Sequence, residues 1–208
     1  LGMDIKVLNL AGESLKPGEP GELVCASPFP SMPIGFWKDD GDRYYDTYFQ
    51  KFPGFWHQGD FASWTPEGGI IIHGRSDATL NPGGIRIGTA EIYRPVEQFE
   101  EIVECLAIGQ TWKEDTRIIL FVVMVKGFKL NDQLVNLIKT AIRTRTSPRH
   151  VPAAIIEVPE LPRTRSGKLV ELAVREAVEN RPIQNLEALE NPDTLEYFRN
   201  RPELSNET

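Results

Sequence analysis

The run Arg117-Ile118-Ile119-Leu120-Phe121-Val122-Val123-Met124-Val125 decides how the rest of the chain is read. Its eight consecutive apolar residues, Ile118 to Val125, are far short of the length of about 20 that crosses a bilayer. They read instead as a strand covered on both faces. Upstream, residues 103–108 read as an adjacent strand. Downstream, Asn131-Asp132 opens a helix whose apolar stripe is Leu134, Leu137, Ile138, Ala141 and Ile142. Residues 153–158 predict a short strand, and a loop then runs to Lys168. Residues 169–178 predict a second helix with Leu172, Ala173 and Ala177 facing inward, ended by Pro182. Before the first strand, residues 89–98 have helical spacing in Ile92, Val96 and Phe99, with Thr89 placed to cap the first turn. The order is ββαβα, a compact α+β unit.

Residues 1–76 have a different grain. Strand patterns at 4–8, 22–26, 55–64 and 69–73 are punctuated by Gly and Pro turns. Residues 29–53 are aromatic and broken by Pro30, Pro33 and Pro53, which predicts an ordered surface excursion packed by its own rings. No repeat occurs at solenoid periods. The expected fold class is therefore α+β, with a β-rich part over 1–76, the compact part over 77–180 and an acidic helical tail over 181–208.

Composition bounds the function. In 208 residues, 23 Lys plus Arg face 30 Asp plus Glu, a formal charge of −7. That balance argues against broad affinity for nucleic acid or an anionic membrane. Residues 187–208 carry −4, so the other 186 hold only −3 and leave room for a local basic site. Cys25 and Cys105 lie in apolar strands and read as buried reduced thiols, which suits a cytosolic compartment. His57, His73 and His150 have no Cys or carboxylate at ligand spacing, so no metal site is expected. There is no Gly-x-Ser-x-Gly elbow. The immediate strand pattern after Leu1 is what the back portion of a longer protein would show.

Four segments carry candidate chemistry, and each has a plain alternative. Pro162-Arg163-Thr164-Arg165-Ser166-Gly167-Lys168 can present an ammonium to an anion, or be a solvated turn. Gln58-Gly59-Asp60 can offer a fixed carboxylate to vicinal hydroxyls, or be a turn. Residues 74–92 place four glycines and a proline within 15 residues between a strand and a helix, as a close backbone approach, a hinge or an unliganded hairpin would. Lys139, Arg143, Arg145, Arg149 and His150 make a basic helix face suited to phosphate, or simply to water.

Taken in order, Gly59-Asp60, Gly74-Arg75-Ser76-Asp77, Gly84-Ile85-Arg86-Ile87-Gly88-Thr89-Ala90-Glu91-Ile92 and Pro162 to Lys168 resemble the adenylate-forming enzymes. That superfamily holds acyl-CoA synthetases, luciferases and peptide-synthetase adenylation domains. The likeness covers essentially the whole chain. Residues 76–84 and 185–192 are most similar to the branch that activates acetoacetate. The resemblance implies that 1–76 are the last part, a distorted β-barrel subdomain, of a large N-terminal domain, and that 77–180 are a small mobile C-terminal domain. It implies an ATP-dependent acid–thiol ligase with ATP, CoA and Mg2+ as its small-molecule partners and no nucleic-acid or membrane partner. Asp60 and Arg75 would then bind the ribose of ATP, Arg86 would lie near its phosphate, and Asp77 would be the hinge. Gly83 and Gly84 would line the pantetheine tunnel, Arg143 would meet the CoA nucleotide, and Lys168 would be the lysine of adenylation. Gln58 stands where many relatives have Thr, and Pro82-Gly83-Gly84-Ile85 replaces a Ser-Gly-His type of segment, which points away from acetate. The phosphate loop and acid pocket of such enzymes lie upstream, so this chain alone is expected to be inactive. The alternatives at this stage are acetate, propionate or another short acid, or a short product serving as a binding module.

Overall fold

The computed structural model describes residues 2–205, which fall into two compact units, Leu1–Asp77 and Ala78–Thr208. In the first, β1 (Ile5–Leu8), β2 (Gly21–Cys25), β3 (Trp56–Trp64) and β4 (Ile70–Arg75) form one antiparallel sheet in chain order. Leu8, Val24 and Phe52 form one apolar cluster of this unit. Cys25, Phe29 and Trp56 form another, flanked by Met32, Tyr48 and Phe49. The excursion over 29–53 is packed by its own rings, with Tyr48 stacked on Trp56 at 4.9 Å and Phe29 edge-on to it at 4.8 Å. It also contains a short helix, α1 (Asp42–Tyr48), which the hydrophobic pattern did not reveal. None of its residues is buried; its N-terminus is held by the Asp39 carboxylate, which accepts from the Tyr44 N–H at 2.9 Å.

The second unit is built around β5 (Ile102–Trp112), β6 (Asp115–Met124) and β7 (Ala154–Glu157), in the order β5-β6-β7. β5 and β6 form a long antiparallel hairpin, whereas β6 and β7 run parallel, joined through α3 (Asp132–Arg145). The apolar run now has its reason. Ile118, Leu120 and Val122 pack with Ile92 and Val96 of α2 (Thr89–Val96) and with Leu134, Ile138 and Ile142 of α3. Ile119 and Phe121 pack on the opposite face with Val174, Ala177 and Val178 of α4 (Glu171–Val178) and with Leu195, Phe198 and Leu204 beyond it. Where both faces of this central strand are covered, over Ile118 to Val122, no position is left for a polar residue.

Three details differ from the sequence reading. Gly88, not Thr89, caps α2, and its N–H donates to Glu91 Oε1 at 2.9 Å. On α3, Leu137 is exposed and the buried stripe narrows to Leu134, Ile138 and Ile142. On α4 the inward residues are Val174, Ala177 and Val178, while Leu172 faces outward. In the tail, three 3-10 helices, Leu186–Ala188, Pro192–Phe198 and Pro202–Leu204, bury Leu195, Phe198 and Leu204 in the core of the second unit. The Leu204 carbonyl is held by Gln110 Nε2 at 3.0 Å and by Arg117 Nη2 at 3.2 Å. Arg117 Nε also donates to Gln110 Oε1 at 2.8 Å, and its guanidinium lies 3.4 Å over the Trp112 ring. Residues 206–208, at the end of the expected acidic tail, lie outside the described residues.

Candidate functional site

The first group of candidate residues follows from strand register. β3 and β4 pair so that Asp60 stands opposite Arg75. Cross-strand neighbours at this spacing can meet, and Arg75 Nη1 lies 3.7 Å from Asp60 Oδ1. The same guanidinium donates to the Gln58 carbonyl at 2.6 Å and to Asp77 Oδ2 at 3.1 Å. Arg75 thus draws Asp60 and Asp77 to one place, at the end of β4. Gly59 is required beside it: its φ is +79°, and a Cβ there would stand 2.9 Å from Arg75 Nη2. The ladder is irregular between Phe61 and Ala62, a local bend of the kind that re-aims side chains near sites.

Beneath this group lies a residue the sequence reading passed over. Glu22 on β2 is fully buried and ionised. Burial by itself would raise its pKa. Hydrogen bonds from His57 Nε2 at 3.0 Å, from Lys51 Nζ at 2.7 Å and from Ser76 Oγ outweigh that penalty and hold it well below the usual carboxylate range. Ser76 sits between Arg75 and Asp77, so Glu22 anchors the backbone that carries both. Its signal was hidden because Gly21-Glu22-Leu23-Val24 looks like a strand with one polar face.

In the second unit, the N–H and C=O of Leu80 pair with those of Ile87 at 2.9 and 2.8 Å, enclosing the segment with Gly83, Gly84 and Arg86. The Gly83 N–H donates to both Asp115 carboxylate oxygens at 3.0 Å, and Gly83 has a φ of +60°. A Cβ on Gly83 would stand 3.2 Å from Arg149 Nη1, so the turn carrying Arg149 lies against this segment. That turn is tied to the start of α2: Ser147 Oγ is 2.8 Å from His150 Nδ1, and His150 Nε2 is 3.1 Å from Glu91 Oε2. Arg143 is exposed in the last turn of α3, and Arg86 is half-buried.

Lys168 is exposed at the end of a small hairpin. Arg163 pairs with Leu169, the Thr164 N–H donates to the Lys168 carbonyl at 2.9 Å, and the Lys168 N–H donates to Thr164 Oγ1 at 3.1 Å. Gly167, at φ +80°, makes the tight turn. The hairpin leans on residues 188–191, where Asn191 Oδ1 accepts from the Arg163 N–H at 2.8 Å and the Ala188 carbonyl from the Arg165 N–H at 3.2 Å. The ammonium of Lys168 makes no hydrogen bond or ion pair among the described residues. Two cavities of about 550 and 450 Å³ flank α4, and neither is lined by an expected site residue. No group of three or more His, Cys, Asp or Glu that could hold a metal occurs among the described residues. No described helix is long and apolar enough to cross a membrane. Both cysteines are buried and free; burial pushes the Cys105 thiol up to about 12, and burial together with Asp4 raises that of Cys25.

Residues 96–168 match the AMP-binding enzyme C-terminal domain family. The chain is 56% identical over 205 residues to the acetoacetyl-coenzyme A synthetase of Rhizobium meliloti (strain 1021) and 46% identical over 209 residues to that of Xenopus tropicalis. These matches take in 98% and 99% of this chain but only 31% of each relative, so the chain spans about a third of their length. The structure superposes on acetoacetyl-CoA synthetase from Streptomyces lividans with a TM-score of 0.86 at 43% identity, over 95% of this chain and 30% of that one. ATP-bound MatB from Rhodopseudomonas palustris shares the fold, with a TM-score of 0.73 at 21% identity over 86% of this chain and 35% of that one. Over nearly its whole length, then, the chain is a homologue of the acetoacetyl-CoA synthetases, and it carries the C-terminal domain of the AMP-binding, adenylate-forming enzymes.

Proposed function

We propose that this chain is the C-terminal portion of an ATP-dependent acid–thiol ligase that converts acetoacetate to acetoacetyl-AMP and then to acetoacetyl-CoA, releasing diphosphate and AMP. The observation that carries the reading is the 56% identity to an acetoacetyl-CoA synthetase along 98% of the chain. Acetate or propionate would be the neighbouring substrates, and a panel of acids on the full-length enzyme separates them.

The residues suit the chemistry. Adenylation brings a carboxylate up to the α-phosphate of ATP, so two anions must meet. The exposed Lys168 ammonium, on a braced hairpin, supplies the compensating charge where it grows in the transition state. Asp60 would accept from the ribose hydroxyls, with Arg75 beside it and Arg86 near the phosphate. Asp77, the last residue of the first unit, would be the pivot between half-reactions. For the thiol step, Gly83 and Gly84 would give the pantetheine arm a wall without side chains, and Arg143 would meet the CoA nucleotide. ATP, CoA and Mg2+ are substrates in this scheme, and the chain assigns no residue to the metal. The partner of these two units would be the remainder of the ligase, in the cytosol.

The test is the full-length ligase carrying Lys168→Ala. Adenylation from acetoacetate and ATP is expected to fall by at least about a hundredfold, while thioester formation from pre-made acetoacetyl-AMP and CoA continues. Survival of both steps would overturn the reading. The 208-residue chain by itself is expected to show no ATP–diphosphate exchange.

A further inference from the structure

The hairpin that presents Lys168 has a support outside the motif. The Arg163 guanidinium is shared: Nη1 donates to the Gly167 carbonyl at 2.6 Å, and Nη2 donates to the carboxylate of Glu104 on β5. Glu104 is 21% exposed and Arg163 37%, so the pair is half out of water and holds a defined geometry. The Gly167 carbonyl and the Lys168 N–H belong to one planar peptide unit. Arg163 holds the first end, and Thr164 Oγ1 holds the second at 3.1 Å. With the Lys168 carbonyl also held by the Thr164 N–H at 2.9 Å, the peptides on both sides of Lys168 are fixed, and with them the direction in which its side chain leaves the backbone. Glu104 contributes by giving the guanidinium fork its second partner, without which Arg163 could swing into solvent, and by cancelling one cation beside the one that matters.

We infer that Glu104 is a positioning residue for Lys168 in adenylation, acting through Arg163 on the Gly167–Lys168 peptide. This rests on the reading of Lys168 given above. It predicts a loss confined to one half-reaction, because the thioester step does not use this lysine.

The experiment uses the full-length ligase with Glu104→Ala, Arg163→Ala, the double variant, Glu104→Gln, Arg163→Lys and Lys168→Ala. Each is assayed for adenylation and for thioester formation from pre-made acetoacetyl-AMP. Glu104→Ala and Arg163→Ala are each expected to lower the adenylation kcat about tenfold, with the KM for ATP and the thioester step changed by less than about twofold. The double variant is expected to lose no more than either single one, since both break the same link. Glu104→Gln keeps an acceptor and is expected to recover most of the rate. If the alanine variants melt well below the parent, Arg163→Lys, which keeps the charge but not the fork that reaches both acceptors, carries the same comparison between half-reactions. Equal losses in both half-reactions, independent losses that multiply in the double variant, or full adenylation by Glu104→Ala alongside a dead Lys168→Ala would each overturn the inference. Adenylation that survives Lys168→Ala would overturn the underlying reading of the lysine and this inference with it.

Discussion

Glu22 keeps a full charge where water does not reach, and its pH behaviour follows from hydrogen bonds such as those from Lys51, His57 and Ser76. Its folded pKa lies below its ordinary value of 4.5. The stabilisation it gives is therefore complete above that value and is lost as pH falls through the folded one. In thermal melts, the drop in midpoint from pH 6 to pH 3 is expected to be smaller for Glu22→Gln than for the parent, because that carboxylate no longer takes up a proton. At neutral pH the same variant is expected to cost about 2 kcal/mol by urea unfolding, since His57 and Ser76 lose a charged acceptor, while the half-exposed Lys51 can turn to water. The two thiols give an independent check. Neither Cys25 nor Cys105 is expected to react with a disulfide reagent at pH 8 until the chain is unfolded, as both are buried with raised pKa values. At this scale the sequence displayed the candidates with unusual residue types, such as Gly59-Asp60 and Lys168. It concealed Glu22, because a lone acid in an alternating strand looks solvent-facing; the irregular register between Glu22 and Val24, and partners from 29 to 54 residues away, decide otherwise.

Elements were legible where a single apolar pattern had only one way to be buried. The run Ile118 to Val125 is such a case, and Leu120→Ala is expected to cost about 2–5 kcal/mol by chemical denaturation, because the residue is fully enclosed. α4 was not. Its segment has apolar residues at 169, 170, 172, 173, 174, 177 and 178, so two overlapping stripes satisfy the same helical period. The tail chooses between them by laying Leu195 and Phe198 over Val174 and Ala177. Leu172→Ser is accordingly expected to shift stability by less than about 0.5 kcal/mol, and Val174→Ala by about 1–3 kcal/mol. A reversed order in that pair would show that the outward and inward faces are misassigned. α1 was illegible for the opposite reason: it buries nothing, so no periodicity marks it.

At the scale of the molecule, the second unit has its own two apolar clusters on the faces of its own sheet. Residues 78–208 expressed alone are expected to unfold in one cooperative urea transition, whatever the fate of the rest. A broad, non-cooperative loss of circular dichroism would refute this. The tail's part in that cluster escaped notice because its acids set the tone of residues 187–208, whereas Leu189, Leu195, Phe198 and Leu204 do the packing. One detail of that tail reaches beyond the folded state. Gln110 and Arg117 close on the Leu204 carbonyl, so a truncation ahead of Leu204 would bare the buried Gln110 amide, the half-buried Arg117 guanidinium and part of the apolar cluster around Phe198 together. The truncated product would display a sticky, unsatisfied face to chaperones and proteases. Loss of such a protein from cells would then be a matter of turnover rather than of missing site residues.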